Sequence, residues 1–335
     1  MSGPGGGPRP WSPPPSPAPA ADGRRLRPAP LGSLFEIAAR IVRRHWAVLL
    51  GVSAVFGIPG ALLEAVASVP FSQTVAGLLP DPGTAERIVI SDADARELAG
   101  GLALATGGSF VAGMLAAVAA VGFAWVVWRD YHGRRAPVGE ALSRSVARAL
   151  PALGTAILSG IASIGVLVVG AGAVLGTLTV LSPDGAERGG LGPFLALVLA
   201  VVTVLVLVVL AVRWSLAASV VAIEPVGPVG ALRRSWRLTA DSTWRTFGAL
   251  FATTLFVTVV GALVSQILAL VLVDLVLAPL GAGLLGETLV STAVTVLFAP
   301  VSTVVMTVYL FDQMVRREGW DLPAPEAALA AQPPA

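Results

Sequence analysis

Few side chains in this sequence could carry acid, base, nucleophilic or metal chemistry. Its two histidines, His45 and His132, each lie beside a group of arginines, and the chain has no cysteine. All 22 basic residues are arginine. These facts exclude thiol catalysis, Cys-ligated zinc, Schiff-base chemistry and the lysine of a phosphate-binding loop. We therefore predict a protein that is not an enzyme and that uses no cofactor or metal.

Two acidic residues, Glu64 and Asp274, interrupt stretches that are otherwise apolar. Ionisable residues inside a membrane are functional candidates because a charge in hydrocarbon is costly. A count of about 1.5 Å per residue from Trp46 and from Phe247 places both acids near the outer interface of a bilayer. At that depth we expect solvated acids and not members of a proton relay.

The composition is that of a membrane protein. Of the 335 residues, 55% are hydrophobic and 13% are charged, whereas about 25% are charged in a typical soluble domain. The mean hydropathy is +0.82. The formal net charge is only +2, and the arginines lie at the edges of apolar stretches and not on a nucleic-acid-binding face. Abundant Ala, Gly, Pro and Arg suggest a GC-rich bacterial genome, so we predict a bacterial cytoplasmic-membrane protein.

Six apolar stretches are each near or above the roughly 20 residues that cross a hydrocarbon core. They predict an all-α fold of six transmembrane helices, at Trp46–Val69, Leu98–Trp128, Leu153–Leu181, Leu191–Val212, Phe247–Val273 and Leu289–Phe311. Largely apolar residues 214–223 extend the fourth stretch, so it must tilt, bend or leave the membrane. The predicted membrane domain is 31–317, between Pro-rich tails at 1–30 and 318–335 that we expect to be disordered.

Gly172 and Gly176 are small residues spaced four apart within the third stretch. In membranes such pairs allow two helix backbones to approach closely. We therefore predict a close contact between helices at this pair, and not a substrate path.

Arginine is distributed unequally between the two sides that the six predicted helices define. Seven arginines precede the first helix, five follow the second, five surround the connection from fourth to fifth, and two follow the sixth. The other side has only Arg87, Arg96 and Arg188. Because arginine-rich loops stay in the cytoplasm, we predict that both termini are cytoplasmic. Five tryptophans fall at the same helix ends, where indoles prefer the interface: Trp46, Trp125, Trp128, Trp214 and Trp244.

A tripeptide of proline, an aliphatic residue and glycine precedes the first, third and fifth predicted helices, starting at Pro30, Pro137 and Pro228. Each copy opens an arginine-bearing segment, and the spacing suggests three repeats of an interfacial helix plus a transmembrane hairpin. The same tripeptide pattern also starts at Pro225 and Pro279, so it does not establish a repeat by itself.

The segment after Pro30 has the pattern of an amphipathic helix, with an apolar face opposite its arginines. Its apolar face consists of Leu34, Ile37, Ala38 and Ile41. The segment after Pro228 repeats this more weakly, with Leu232, Ser235 and Trp236 against its arginines. We predict that such helices lie at headgroup depth in the interface and surround the bundle.

The most distinctive part of the sequence is the connection between the fourth and fifth helices. It contains Arg213-Trp214-Ser215, Glu224-Pro225, Arg233-Arg234-Ser235-Trp236-Arg237 and Phe247-Gly248. This connection resembles the membrane domain of the glycerophosphoryl diester phosphodiesterase family, a group of bacterial multi-helix membrane proteins. The resemblance extends over about 30–317. Some members carry an appended catalytic barrel with paired histidines and metal-binding carboxylates, and this sequence contains no such set.

The candidate site residues all belong to this connection: Arg213, Glu224, Arg233, Arg234, Trp236, Arg237, Trp244 and Arg245. We expect them to engage anionic lipid headgroups or a partner protein, because guanidinium binds phosphate oxygens bidentately. They could instead act only as topology determinants, and Glu224 could pair with Arg213 or the following arginines to form a structural elbow. A transporter or permease, or an accessory protein of lipid or glycerophosphodiester metabolism, are alternative functions.

Topology can be tested with reporter fusions. Fusions at Arg135 and after Arg317 should report the cytoplasm, because they lie on the arginine-rich side, and fusions between Asp81 and Glu97 should report the outside. Labelling of the Arg134-Arg135 loop from outside intact cells would contradict the six-span topology.

Overall fold

A computed structural model describes residues 29–78, 91–181, 191–277 and 283–318. The predicted tails therefore lie outside the described residues, except at Ala29, Pro30 and Glu318, and so does the side chain of Asp274. All elements in the described ranges are helices, and six of these helices are long and apolar enough to cross a membrane. The prediction of an all-α protein with six transmembrane helices is confirmed.

The long helices are α1 (Leu31–Leu78), α2 (Asp92–Tyr131), α4 (Ala149–Leu181), α5 (Leu191–Trp214), α8 (Thr243–Leu268) and α9 (Gly283–Glu318). Three shorter helices lie between them: α3 (Val138–Ala147), α6 (Ala217–Ile223) and α7 (Pro228–Thr239). A 3₁₀ turn, Ala240–Ser242, joins α7 to α8, and a π-helical segment, Ala269–Leu277, continues α8. The pairs α1/α2, α4/α5 and α8/α9 each pack together.

Each of the three proline-led segments forms a helix before one of these pairs. The first is the initial segment of α1. This segment ends at His45, whose non-helical backbone angles of φ −115° and ψ 18° kink the helix. The second is α3, directly after Pro137, and the third is α7, which begins at Pro228. Proline favours the first helical position because its missing N–H has no intrahelical partner there in any case.

The apolar face of the first segment does not lie against lipid. Leu34, Ile37, Ala38 and Ile41 are all buried in the protein core, which α2, α6 and α9 complete. This face therefore packs against other helix ends of the protein, and the depth of the helix in a bilayer stays a prediction.

The buried face of α7 also differs from the one that the sequence pattern predicted. It consists of Ala231, Ser235 and Leu238, whereas Trp236 is exposed beside the arginines. Among the three expected apolar-face residues only Ser235 is fully buried. The small Ala231 and Ser235 allow α7 to pack closely on its neighbours, which a tryptophan at either position would prevent.

The fourth apolar stretch bends, as its length required. Helix α5 ends at Trp214 and α6 begins at Ala217, with the break between them. Ser235 of α7 supports this break: its hydroxyl donates to the Arg213 carbonyl at 2.6 Å and accepts from the Leu216 N–H at 3.3 Å. Because unpaired backbone groups are costly when buried, this serine fixes the angle at which α6 turns into the core.

Close helix contacts occur at glycines other than the predicted pair. Among the described residues, a Cβ added at Gly172 or Gly176 would meet no heavy atom within 4 Å. A Cβ at Gly170 would instead lie 2.3 Å from the Thr203 hydroxyl, and one at Gly154 would lie 2.5 Å from Pro228. The predicted contact at Gly172 and Gly176 is therefore wrong, and α4 approaches α5 and α7 at these other positions.

A proline in α9 explains a hydrogen bond between α1 and α9. Pro300 has no N–H, so the carbonyl of Val296, four residues earlier, lacks its usual helical partner. The hydroxyl of Ser53 in α1 donates to this carbonyl at 2.6 Å. In a membrane, a backbone group freed by proline is satisfied in this way by a neighbouring serine.

We expect Ser53→Ala to lower the midpoint of thermal unfolding in detergent, corresponding to about 1 kcal/mol, because the Val296 carbonyl loses its donor. In a Pro300→Ala background the same substitution should cost less, since the restored N–H at residue 300 can bond to Val296. Ser159→Ala is the matched control, because the Ser159 hydroxyl donates only within its own helix, to Ala156. Equal costs of Ser53→Ala in both backgrounds would contradict this explanation.

Candidate functional site

The described charged residues separate into two ends of the helix bundle. One end, called here the arginine-rich end, comprises the start of α1, the end of α2, helices α3, α6 and α7, the starts of α4 and α8, and the ends of α5 and α9. Its fifteen arginines are Arg40, Arg43, Arg44, Arg129, Arg134, Arg135, Arg144, Arg148, Arg213, Arg233, Arg234, Arg237, Arg245, Arg316 and Arg317. Its seven acids are Glu36, Asp130, Glu140, Glu224, Asp241, Asp312 and Glu318. The opposite end has Arg96 and five acids whose side chains are described: Glu64, Asp92, Asp94, Glu97 and Glu287.

Asp312 is a buried carboxylate that joins three parts of the chain at the arginine-rich end. It accepts from Arg245 at 2.9 Å, from Arg316 at 2.8 Å and from the backbone N–H of Ala29 at 2.9 Å. The same two arginines also donate to the Ala29 carbonyl, at 2.6 and 2.9 Å. Since a buried carboxylate is costly unless it is paired and hydrogen-bonded, these contacts hold α1, α8 and α9 in one arrangement.

Glu224 pairs with one of the arginines that follow it. Its carboxylate accepts from Arg234 Nε at 3.0 Å, and Arg234 also forms a bidentate ion pair with Glu318 of α9. The predicted pairing is therefore confirmed for Arg234 and not for Arg213. Both carboxylates surround one guanidinium, which leaves Arg234 without free charge for an external anion.

Arginines from α3 and from the α3–α4 junction bind the last carbonyls of α6. Arg144 donates to the Ala222 carbonyl at 3.2 Å, and Arg148 donates to the Glu224 carbonyl at 3.3 Å. The last carbonyls of a helix lack intrahelical donors and carry partial negative charge, so a cation there is favourable. Burial lowers the pKa of the Arg144 guanidinium below its ordinary value, and the charge of Arg148 lowers it further.

Aromatic rings at the end of α2 form a stack with one of these arginines. The Arg144 guanidinium lies 4.6 Å from the Trp125 ring centre, Trp125 stacks on Trp128 at 4.6 Å, and Trp128 contacts His132 at 4.0 Å. The cation and the ring quadrupole attract each other. Two of the tryptophans predicted to lie at the interface therefore also take part in internal packing.

His45 makes a contact that sequence reasoning missed. Its Nε2 lies 2.9 Å from Asp130 Oδ1, both side chains are buried, and Arg44 lies 3.5 Å from the same oxygen. The interpretation of His45 as an edge residue is therefore incomplete. The sequence did contain a signal for this contact. Asp130 is a single acid directly after Arg129 at the end of an apolar helix, and such an acid needs a buried partner.

Four more of the predicted site residues form what we call the α7 surface: Arg233, Trp236 and Arg237 face outward, and the half-buried Arg213 packs against Trp236. Arg233, Trp236 and Arg237 share one helical face by their spacing. Arg233 and Arg237 are exposed, and their side chains make no ion pair with any described residue. The Arg213 guanidinium lies 5.2 Å from the Trp236 ring centre, and its Nε and Nη1 have no hydrogen-bond partner among the described residues.

The two indoles among the predicted site residues point outward. Trp236 is 42% exposed and Trp244 is 84% exposed. Trp244 contacts Phe247 edge to face at 6.1 Å, whereas its neighbour Arg245 points inward to Asp312. The structure thus separates the eight predicted site residues into an outward set and an internal set: Glu224, Arg234 and Arg245 are internal.

No family model matches the chain, and neither a curated protein nor a solved structure is significantly similar to it. The resemblance to the membrane domain of the glycerophosphodiesterase family stays a prediction. Within the ranges that the structure describes, no three His, Asp or Glu side chains lie close enough together to bind a metal ion.

We expect Asp312→Asn to lower the stability of the protein in detergent by about 2–3 kcal/mol, because it leaves two arginines without their counter-charge. This is below the 3–5 kcal/mol of a fully buried pair, since Arg245 and Arg316 are 25% and 31% exposed. Asp241→Asn is the control: Asp241 pairs with Arg317 but is 90% exposed, so its loss should cost less than about 1 kcal/mol. Similar unfolding midpoints for the two variants would show that the Asp312 pairs are not structural.

Proposed function

We propose that this protein is a noncatalytic, multi-pass protein of the bacterial cytoplasmic membrane that binds anionic lipid headgroups through the α7 surface, with both termini in the cytoplasm. The observation that carries the proposal is that the arginines of this connection fall into two groups, one paired with acids of the protein and one exposed. Arg234 and Arg245 are neutralised by acids of the protein, whereas Arg233 and Arg237 are exposed on either side of Trp236. The unpaired charges are therefore the ones that face outward.

The chemistry of the α7 surface suits a phosphate at the membrane boundary. A planar guanidinium can bind two phosphate oxygens at once, and an indole prefers the interface between headgroups and hydrocarbon. Arg213, held over the Trp236 ring, has two buried N–H groups without a partner among the described residues. These two groups are buried, so Arg213 supports the Trp236 ring, and Arg233 and Arg237 are the arginines that a phosphate can reach.

The excess of arginine at this end supports a lipid more than a localised protein partner. Exposed arginines are also found on other elements there, at Arg43 in α1 and at Arg134 after α2. An anionic bilayer surface attracts all of them, at about 1 kcal/mol for each arginine near the surface. A partner protein with an acidic surface remains the competing occupant, and the resemblance to the glycerophosphodiesterase family favours an accessory role in lipid metabolism at the same surface.

A transporter or permease is the second candidate function, and one observation favours it. Pro59 and Pro300 lie inside the continuous helices α1 and α9, and a cavity lies between these helices and α2. Proline-containing segments in two helices that line a common cavity are a feature of many transporter binding sites.

We expect Arg233→Gln/Arg237→Gln to weaken binding of phosphatidylglycerol by about 2 kcal/mol, roughly thirtyfold, because two charges near the headgroups are lost. Native mass spectrometry of the full-length protein during lipid titration measures this affinity, with phosphatidylcholine as the zwitterionic reference. The unfolding midpoint should not change, since neither exposed side chain makes a hydrogen bond or ion pair with a described residue.

The matched control is Arg43→Gln/Arg134→Gln, which removes the same charge from exposed positions at the same end of the bundle. If both double variants lose affinity equally, binding depends on overall charge and not on the α7 surface. If neither loses affinity, the arginines act only as topology determinants and the lipid proposal is wrong.

A further inference from the structure

A second candidate site lies in the other half of the bundle, away from the arginine-rich end. A cavity of about 320 Å³ separates α1, α2 and α9. Small residues account for most of its wall: Gly57, Gly60 and Ala61 from α1, Ala112 and Ala116 from α2, and Ala299 from α9. Pro59 and Pro300 lie within the same segments of α1 and α9 and prevent regular helical hydrogen bonding there.

The cavity runs lengthwise between the helices. Its wall includes Ser53 at one end and Glu64 at the other, eleven residues apart on α1, which corresponds to about 16 Å of helix. At the first end the Ser53 hydroxyl is already bonded to the Val296 carbonyl. The middle is lined by alanine and glycine, so the interior offers an apolar slot and few polar partners.

Glu64 is the single titratable residue among those that line the cavity. One carboxylate oxygen, Oε1, accepts from the Ser109 hydroxyl at 3.0 Å, and the other makes no contact with a described residue. No arginine or histidine lines the wall, so the carboxylate has no counter-charge from the cavity. Glu64 is exposed from the protein and lies about 27 Å along α1 from Trp46. This is close to the roughly 30 Å thickness of a hydrocarbon core, so the predicted topology puts Glu64 at the outer interface, where solutes can reach it.

We propose that this cavity binds a single-chain amphiphile with a protonated amine, its ammonium at Glu64 and its alkyl chain along the small residues toward Ser53. Charge complementarity selects the cation, because an acid beside hydrocarbon is stabilised by pairing. The cavity has room for a single alkyl chain, since its volume of about 320 Å³ is at the lower limit of small-molecule sites. The slot is long, and apart from Thr295 and Thr303 of α9 its wall between the ends is apolar, so an alkyl chain fits it better than a compact polar cation does.

Dodecylamine and dodecanol are suitable probes because they share a chain and differ in the head group. Native mass spectrometry of the full-length protein in a non-ionic detergent would count the bound molecules of each probe. At neutral pH the amine is protonated. We expect one saturable dodecylamine per chain, and an affinity at least tenfold weaker in Glu64→Gln. Dodecanol binding should be unchanged in that variant.

Three further variants separate the site from general effects. Ala116→Phe should block the slot and abolish binding of both probes, while Ala262→Phe, which fills the separate groove between α8 and α9, should not. Glu287→Gln removes an exposed acid at the same end of the bundle and should leave binding unchanged. The proposal is overturned if wild type shows no saturable adduct, or if Glu64→Gln binds dodecylamine as wild type does. Because Glu64 is exposed, this substitution tests the proposal even if Ala116→Phe fails to fold.

Discussion

The helix ends depend on buried carboxylates that each face one or more cations. Asp130, Glu224 and Asp312 lie inside the arginine-rich end; Asp130 and Asp312 join residues that are distant in sequence, and Glu224 joins the end of α6 to α7. The apolar spans have no comparable force between them, because hydrocarbon solvates their side chains as well as a neighbouring helix does. Specific charge pairs at the boundary, together with the apolar core beneath them, therefore determine which helix lies beside which.

This arrangement gives chemically similar arginines different roles. A guanidinium between two carboxylates, as in Arg234, is an internal part of the fold, while the adjacent Arg233 points outward. A helix with arginines at consecutive positions places them about 100° apart, so one of them meets protein and another meets the surroundings. Lipid affinity and stability are thereby assigned to different side chains of α7 and can be altered separately.

The span number, the helix before each pair and the bend after Arg213 could all be predicted, because they depend on local pattern and length. Which of these helices pack against each other, and through which faces, could not be predicted from the sequence. The bond from Ser53 to the Val296 carbonyl depends on which face of α9 meets α1, and no local pattern specifies that. The same limit explains the wrong prediction at Gly172: two small residues permit a close contact, but only the packing decides whether a helix is there.

The sequence separation of 283 positions between Ala29 and Asp312 has a consequence for biosynthesis. At about 5–20 residues per second, translation needs on the order of 15–60 s to produce the partner of Ala29. During that time α1 is already in the membrane. Its Ser53 cannot yet form its hydrogen bond with α9, because Val296 is also synthesised late. The α1/α2 pair must therefore persist as an incomplete intermediate, and the insertion of α9 is the step that completes both ends of its contact with α1. A ribosome that stalls before α9 would leave a chain with most of its spans inserted but without the contacts that join its beginning to its end.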